Sequence, residues 1–192
     1  MREAKIKRKT KEVEVLGKLN LDGEGKSEIE TGIKFFNHIL DTIVKHSMID
    51  LTIKASGDLQ HHLIEDVGIA IGEAILEALG EKKGIKRFGY AYIAMDEALA
   101  RTVIDLSGRP YAKINLNISQ EEIEDAKTED IIHFFSSLAQ ASKSTLHIKV
   151  IYGFNAHHKV EAAAKSFALA LKEAISIEEK LSGKIPSVKE AL

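Results

Sequence analysis

His61-His62-Leu63-Ile64-Glu65 and His157-His158-Lys159-Val160-Glu161 carry one pattern, His-His-x-x-Glu, twice in a single chain. The copies lie 96 positions apart (61 to 157) in a sequence of 192 residues, half its length. Each pair also has a lone histidine upstream: His38 precedes His61 by 23 positions, and His133 precedes His157 by 24. Six of the eight histidines therefore form two matched sets, each with one Glu. Such a spacing points to a duplicated half-domain that carries a metal site twice.

The flanking patterns repeat in the same order. Lys11 to Leu21 alternates, with Val13, Val15 and Leu19 inward, and ends at the turn Asp22-Gly23-Glu24-Gly25, after which a hairpin is expected. From Ile33 the period lengthens, and Phe35, Phe36, Ile39, Leu40, Ile43 and Val44 sit at helical spacing with His38 among them. Ile49, Leu51, Ile53 and Ala55 then alternate as a half-buried strand. Ile64, Val67, Ile71, Ile75 and Ala78 form a stripe on a long helix that begins near His61. The second half has strand-like runs over 90–105 and 111–118, a helix from about Thr128 to Ser142, an alternating run from Leu146 to Tyr152 and a helix after Asn155. Gln120 to Asp130 is acidic and reads as a loop or helix entry.

Each half thus reads β-β-β-α-β-α. The expected fold is α+β, a tandem duplication with helices packed on one face of a mixed sheet. The Gly/Lys-rich stretch Leu79 to Phe88 marks the boundary, giving half-repeats 1–84 and 85–192. One detail does not repeat: Phe35-Phe36 precedes His38, whereas Phe134-Phe135 follows His133.

On a helix, positions i and i+4 share a face, so His61 lies over Glu65 and His157 over Glu161. The adjacent His62 and His158 point about 100° away and cannot easily grip the same ion. Two ions are the economical solution. The eight candidates His38, His61, His62, Glu65, His133, His157, His158 and Glu161 then divide into two sets of three imidazoles and one carboxylate. Nitrogen and oxygen donors without sulfur suit Mn, Fe, Co, Ni or Zn. A lone copy would more simply be a solvated polar face; the duplication is what favours a metal. His147 reads as exposed and His46 as a cation closing the first helix.

Composition bounds the partners. The chain is 44% hydrophobic and 29% charged, with net charge −2 and no cysteine. Disulfides and thiolate chemistry are excluded, and there is no general attraction to nucleic acid or anionic membrane. No apolar run reaches membrane-spanning length, and MREAKIKRKTKE lacks the apolar core of a signal peptide, so the expected location is the cytoplasm. Any anion site must be local. Arg109 in the turn Leu106-Ser107-Gly108-Arg109-Pro110, Arg87 in the inter-half connection, Lys165 one turn beyond Glu161 and Lys189 in the tail are candidates, although each alone reads as a surface cation. Asp96 and Asp105 flank a strand, in roles that are as readily structural as functional.

The sequence resembles the imidazoleglycerol-phosphate dehydratase family over nearly its whole length. Phe35-Phe36-Asn37-His38-Ile39-Leu40, Gly57-Asp58, His61 to Ile69, Met95-Asp96-Glu97, Asp105 to Pro110, His133-Phe134-Phe135, Gly153 to Ala162 and Pro186-Ser187-Val188-Lys189 carry the likeness. The resemblance implies a ribosomal protein S5 domain 2-like duplication, a 24-subunit homo-oligomeric shell and two Mn²⁺ ions per active site at subunit contacts. It implies the eight ligands named above. Implied substrate residues are Glu12, His46, Arg87, Arg109, Lys165, Ser187 and Lys189, with the basic ones and Ser187 round a phosphate. Three departures stand out: the loop before His61 is about three residues short and lacks the family's Asp pair, Leu63 replaces Thr, and Val188 replaces the tail Thr.

The implied reaction is loss of water from imidazole glycerol phosphate to give imidazole acetol phosphate. Metal ions there orient the ring and stabilise charge as a diazafulvene-like species forms. Glu12 and Glu161 are the expected proton carriers. Two other readings compete: a dinuclear phosphate-ester hydrolase, and a non-catalytic metal-binding shell protein.

Overall fold

The computed structural model describes residues 1–189. The first half runs β1 (Glu3–Lys9), β2 (Val13–Asn20), β3 (Ser27–Glu30), α1 (Lys34–Ser47), β4 (Asp50–Gly57) and α2 (Gln60–Leu79). The second runs β5 (Phe88–Met95), β6 (Ala98–Asp105), β7 (Tyr111–Asn115), a two-residue pair β8 (Glu122–Ile123) and β9 (Ala126–Lys127), α3 (Thr128–Ala141), β10 (Thr145–Tyr152) and α4 (Ala156–Ile175). The β-β-β-α-β-α order is present in both halves. It builds two four-stranded mixed sheets of equivalent order, β1-β2-β4-β3 and β5-β6-β10-β7. In each, the third strand lies parallel to the fourth and the other pairings are antiparallel.

Two local expectations are revised. No hairpin follows Asp22: β3 crosses to the far side of β4 and pairs with it in parallel. The Asp50 carboxylate accepts the backbone N–H groups of Glu24 and Lys26 at 2.8 and 2.9 Å and ties the turn to the start of β4. The hairpin lies upstream, where Glu3–Lys9 pairs with β2. The acidic stretch 120–130 does enter a helix, α3 at Thr128, but it first folds into the β8–β9 hairpin instead of a plain loop.

The helices lie between the sheets and carry the contacts between halves. Helix α2 packs on α3, and α1 on α4, while α2 covers β1 and β2 and α4 covers β5 and β6. Alternation on the strands and 3.6-residue periodicity on the helices turn the apolar faces into one core. The non-repeating Phe-Phe pairs meet there. Phe36 of α1 stands edge-on to Phe134 of α3 at 5.1 Å, Phe134 to Phe135 at 5.1 Å, and Phe135 to Phe167 at 5.5 Å.

The approach of α2 to α3 depends on Gly68 and Gly72. A Cβ at Gly72 would lie 2.6 Å from the Leu138 carbonyl oxygen, and one at Gly68 2.8 Å from that of Phe134. At the start of α1, Ile33 supplies no side-chain cap. The Asp125 carboxylate, 90 positions away, accepts the N–H groups of Lys34 and Phe35 at 2.8 Å each.

Candidate metal centre

Helical spacing brings His61 and Glu65 to one face of α2, and α3 adds His133 to them. The Nε2 of His133 lies 3.2 Å from Glu65 Oε1, and the His61 and His133 rings stack at 5.0 Å. The twin cluster takes His157 and Glu161 from α4 and His38 from α1, with Nε2 atoms 3.5 and 3.7 Å from Glu161 Oε2. In each cluster the three donor atoms lie within 4.8 Å of one another. A divalent ion with bonds of about 2.1 Å spaces its ligands about 3–4 Å apart, so both clusters have the dimensions of a metal site. Each cluster crosses the halves: the upstream histidine joins the other half's pair, because α1 packs on α4 and α3 on α2. Within one chain each cluster holds two imidazoles and one carboxylate, not three and one.

His62 and His158 turn away, as their helical positions require. His62 Nδ1 meets Asp58 at 2.9 Å and lies 3.7 Å from Glu12. His158 Nδ1 meets Glu97 at 2.7 Å and its Nε2 lies 3.8 Å from Asp96. The hydrogen bond to Asp58 raises the His62 pKa, and the bond to Glu97 does the same for His158. Glu97 in turn is held down to about 2 by His158 and by the backbone N–H of Asn155.

All four histidines of the repeated pairs place a carboxylate on Nδ1. His61 meets Asp130 at 2.6 Å and His157 meets Glu124 at 3.2 Å, alongside the two contacts above. A neutral imidazole so held keeps its proton on Nδ1 and offers the Nε2 lone pair, the state a metal ligand needs. The donor set therefore fits divalent cations. Sequence reading missed Asp130 and Glu124. One signal for Asp130 was available: it lies three positions before His133, on the same face of the helix.

The remaining expected residues fall into two groups. Lys165 donates to Glu161 Oε1 at 2.8 Å, and His46 is near enough to Lys165 that burial first and then this positive charge lower its pKa. Burial pushes the Glu161 carboxyl up, but the Lys165 hydrogen bond and charge, with His38 and His157, bring it below its ordinary value overall. Arg87 forms a two-pronged pair with Asp105 at 2.7 and 3.1 Å and donates to the Pro186 carbonyl at 2.9 Å. Arg109 reaches the same carboxylate at 3.9 Å and is largely exposed. Ser187 accepts the Lys189 N–H at 3.2 Å, so the tail lies beside these arginines through Pro186. Beside the second cluster an open hollow of about 570 Å³ is lined by Lys34, Phe35, His38, Glu124, Asp125 and His157. Among the described residues no helix is long and apolar enough to cross a membrane.

Known proteins resemble this chain along most of its length. A family model described as imidazoleglycerol-phosphate dehydratase matches residues 31–171. A Paracoccus denitrificans protein of that name is 46% identical with 100% of both chains covered, and one from Clostridium kluyveri is 50% identical over 95% of this chain and 96% of its own. The crystal structure of the Staphylococcus aureus imidazoleglycerol-phosphate dehydratase superposes with TM-score 0.84 at 39% identity, covering 92% of this chain and 99% of that one. The Pyrococcus furiosus structure, in complex with (S)-C348, gives 0.85 at 37% identity, covering 97% and 99%.

Proposed function

The chain belongs to the imidazoleglycerol-phosphate dehydratase family and is a hydro-lyase of histidine biosynthesis that removes water from imidazole glycerol phosphate; we propose that it does so in the cytoplasm with two Mn²⁺ ions held by His38, His61, His62, Glu65, His133, His157, His158 and Glu161. The observation that supports the metal reading is the pair of clusters, His38 with His157 and Glu161 and His61 with His133 and Glu65, in each of which the donor atoms lie within 4.8 Å of one another. When bound, the two ions would hold the substrate ring and stabilise the charge that develops on it.

The chain's own residues do the rest. Glu12 is exposed beside His62, which suits a carrier of protons between the substrate and water. Glu161 was the second expected carrier, but one oxygen accepts from Lys165 and the other faces His38 and His157. That geometry favours its role as a ligand. Lys165 and His46 on one side, and Arg87, Arg109, Ser187 and Lys189 on the other, would bind the phosphate and keep the reacting atoms aligned.

A homo-oligomer completes this reading, in the form of a 24-subunit shell with active sites at subunit contacts. His62 and His158 point away from both clusters of their own chain, so they are available to ions held mainly by neighbouring copies. The outer face of the second sheet also exposes Phe88, Tyr90, Tyr92 and Tyr111, aromatic side chains that a neighbouring copy would cover. The decisive assay incubates pure protein with manganese and imidazole glycerol phosphate and follows absorbance of the enolisable ketone. Turnover that persists after exhaustive chelation would remove the metal from the mechanism. The hydrolase and shell-protein readings have no specific observation in their favour, since full-length relatives are named dehydratases.

A further inference from the structure

One short segment, from β8 to the first turn of α3, reaches both ligand clusters from its two ends. Asp130 is 0% exposed and places Oδ1 2.6 Å from Nδ1 of His61, while its Oδ2 has no hydrogen-bond partner among the described residues. Burying a carboxylate with one oxygen unmatched costs free energy, and the neighbouring Ile131 and Phe134 show that an apolar residue would suit the position. Glu124 stands at φ +55 in the β8–β9 turn, a conformation that non-glycine residues seldom adopt and that concentrates at functional sites. Its Oε1 lies 3.2 Å from Nδ1 of His157. Between them, the Asp125 side chain caps α1, which carries His38, and its carbonyl accepts from the Gln60 side chain next to His61.

We propose that Asp130 and Glu124 are positioning residues, one for each cluster: each keeps the proton on Nδ1 of its histidine so that Nε2 faces the ion. This rests on the metal reading above. Neither helix supplies such a group from its own turn. Leu59 and Gln60 precede His61, Asp58 is engaged by His62, and Asn155 and Ala156 precede His157. The carboxylate must come from another element, and a single segment provides both. Because it engages Nδ1, each carboxylate also strengthens Nε2 as a donor without itself touching the ion.

The test is a Mn²⁺ titration of the metal-stripped, full-length protein, with free ion counted by electron paramagnetic resonance. Wild type is compared with Asp130→Asn, Glu124→Gln and the double variant, and the Tm of each metal-free protein is recorded. The expected result is two ions per chain in wild type. Each single variant should weaken one of them by about 10–100-fold and leave the other, and the double variant should weaken both. Glu124 is exposed, so Glu124→Gln should keep the metal-free Tm; Asp130→Ser replaces the Asn variant if that one does not fold. Wild-type manganese affinity in both single variants overturns this inference while leaving the metal reading intact. Absence of bound manganese in the wild type overturns both. Loss of both ions together with a lowered metal-free Tm in the Asp130 variant would make that residue a structural support and overturn its assignment.

Discussion

His38 on α1 and Glu161 on α4 belong to different halves of the chain, yet their Nε2 and Oε2 atoms face each other at 3.7 Å. This separation exceeds a hydrogen bond and suits two ligands of one ion. His38 is exposed and not part of the core, so His38→Ala should leave the fold and lower the affinity for one ion by on the order of 100-fold or more. Metal content after dialysis, alongside an unchanged far-ultraviolet dichroism spectrum, checks this. Full retention of both ions would exclude His38 as a ligand.

Glu12 sits 3.7 Å from His62 and makes no closer charged contact with it. Its replacement by Gln keeps the size and removes the carboxyl group that can take up and release a proton. Glu12→Gln is therefore expected to retain manganese and assembly while kcat falls about 10²–10⁴-fold, the range for a lost acid–base group. Normal turnover would take Glu12 out of the mechanism.

Gly72 tests the contact that positions His133. Alanine in a helix is ordinarily favoured over glycine by about 1 kcal/mol. Here the added Cβ would lie 2.6 Å from the Leu138 carbonyl and 2.7 Å from the Ala141 Cβ, and overpacking costs about 1–3 kcal/mol. The clash is with backbone, so it wins. Gly72→Ala should lower the urea midpoint and, by pushing α3 outward, weaken the ion that His133 helps to hold. A stabilised variant would mean that the helices have room to separate.

Acidity should act with opposite signs on the two forms of the protein. In the metal-free form the Asp58 and Glu97 carboxylates raise the pKa of His62 and His158 above 6.5. Their contribution to stability is complete below the unfolded value of about 6.5 and is lost as pH rises through the folded values. A bound ion needs the same imidazoles deprotonated, so manganese protection should grow as pH rises. The Tm difference with and without manganese, scanned between about pH 5 and 8, should increase upward. A flat difference would detach these histidines from the ions.

The use of chelator probes the assembly separately. If ligands from neighbouring copies share ions, stripping the metal should shrink the particle seen by light scattering. An unchanged size would count against ions that bridge neighbouring copies.

The sequence by itself determined the β-β-β-α-β-α order of the elements and singled out the candidate ligands. Hydrophobic alternation and helical spacing are local properties, so β4, α1, α2, α3 and α4 were legible from residues such as Ile49 to Ala55 and Ile64 to Ala78. The repeated His-His-x-x-Glu was equally local, because i and i+4 share a helix face whatever lies around them. Only the tertiary structure decided which ligands meet. His38 joins His157 and Glu161, and His133 joins His61 and Glu65, because α1 docks on α4 and α2 on α3 through faces that meet only when the halves close. The carboxylates of Asp130 and Glu124 became visible for the same reason: each serves a histidine more than 30 positions away, a distance over which no periodicity in the chain carries information.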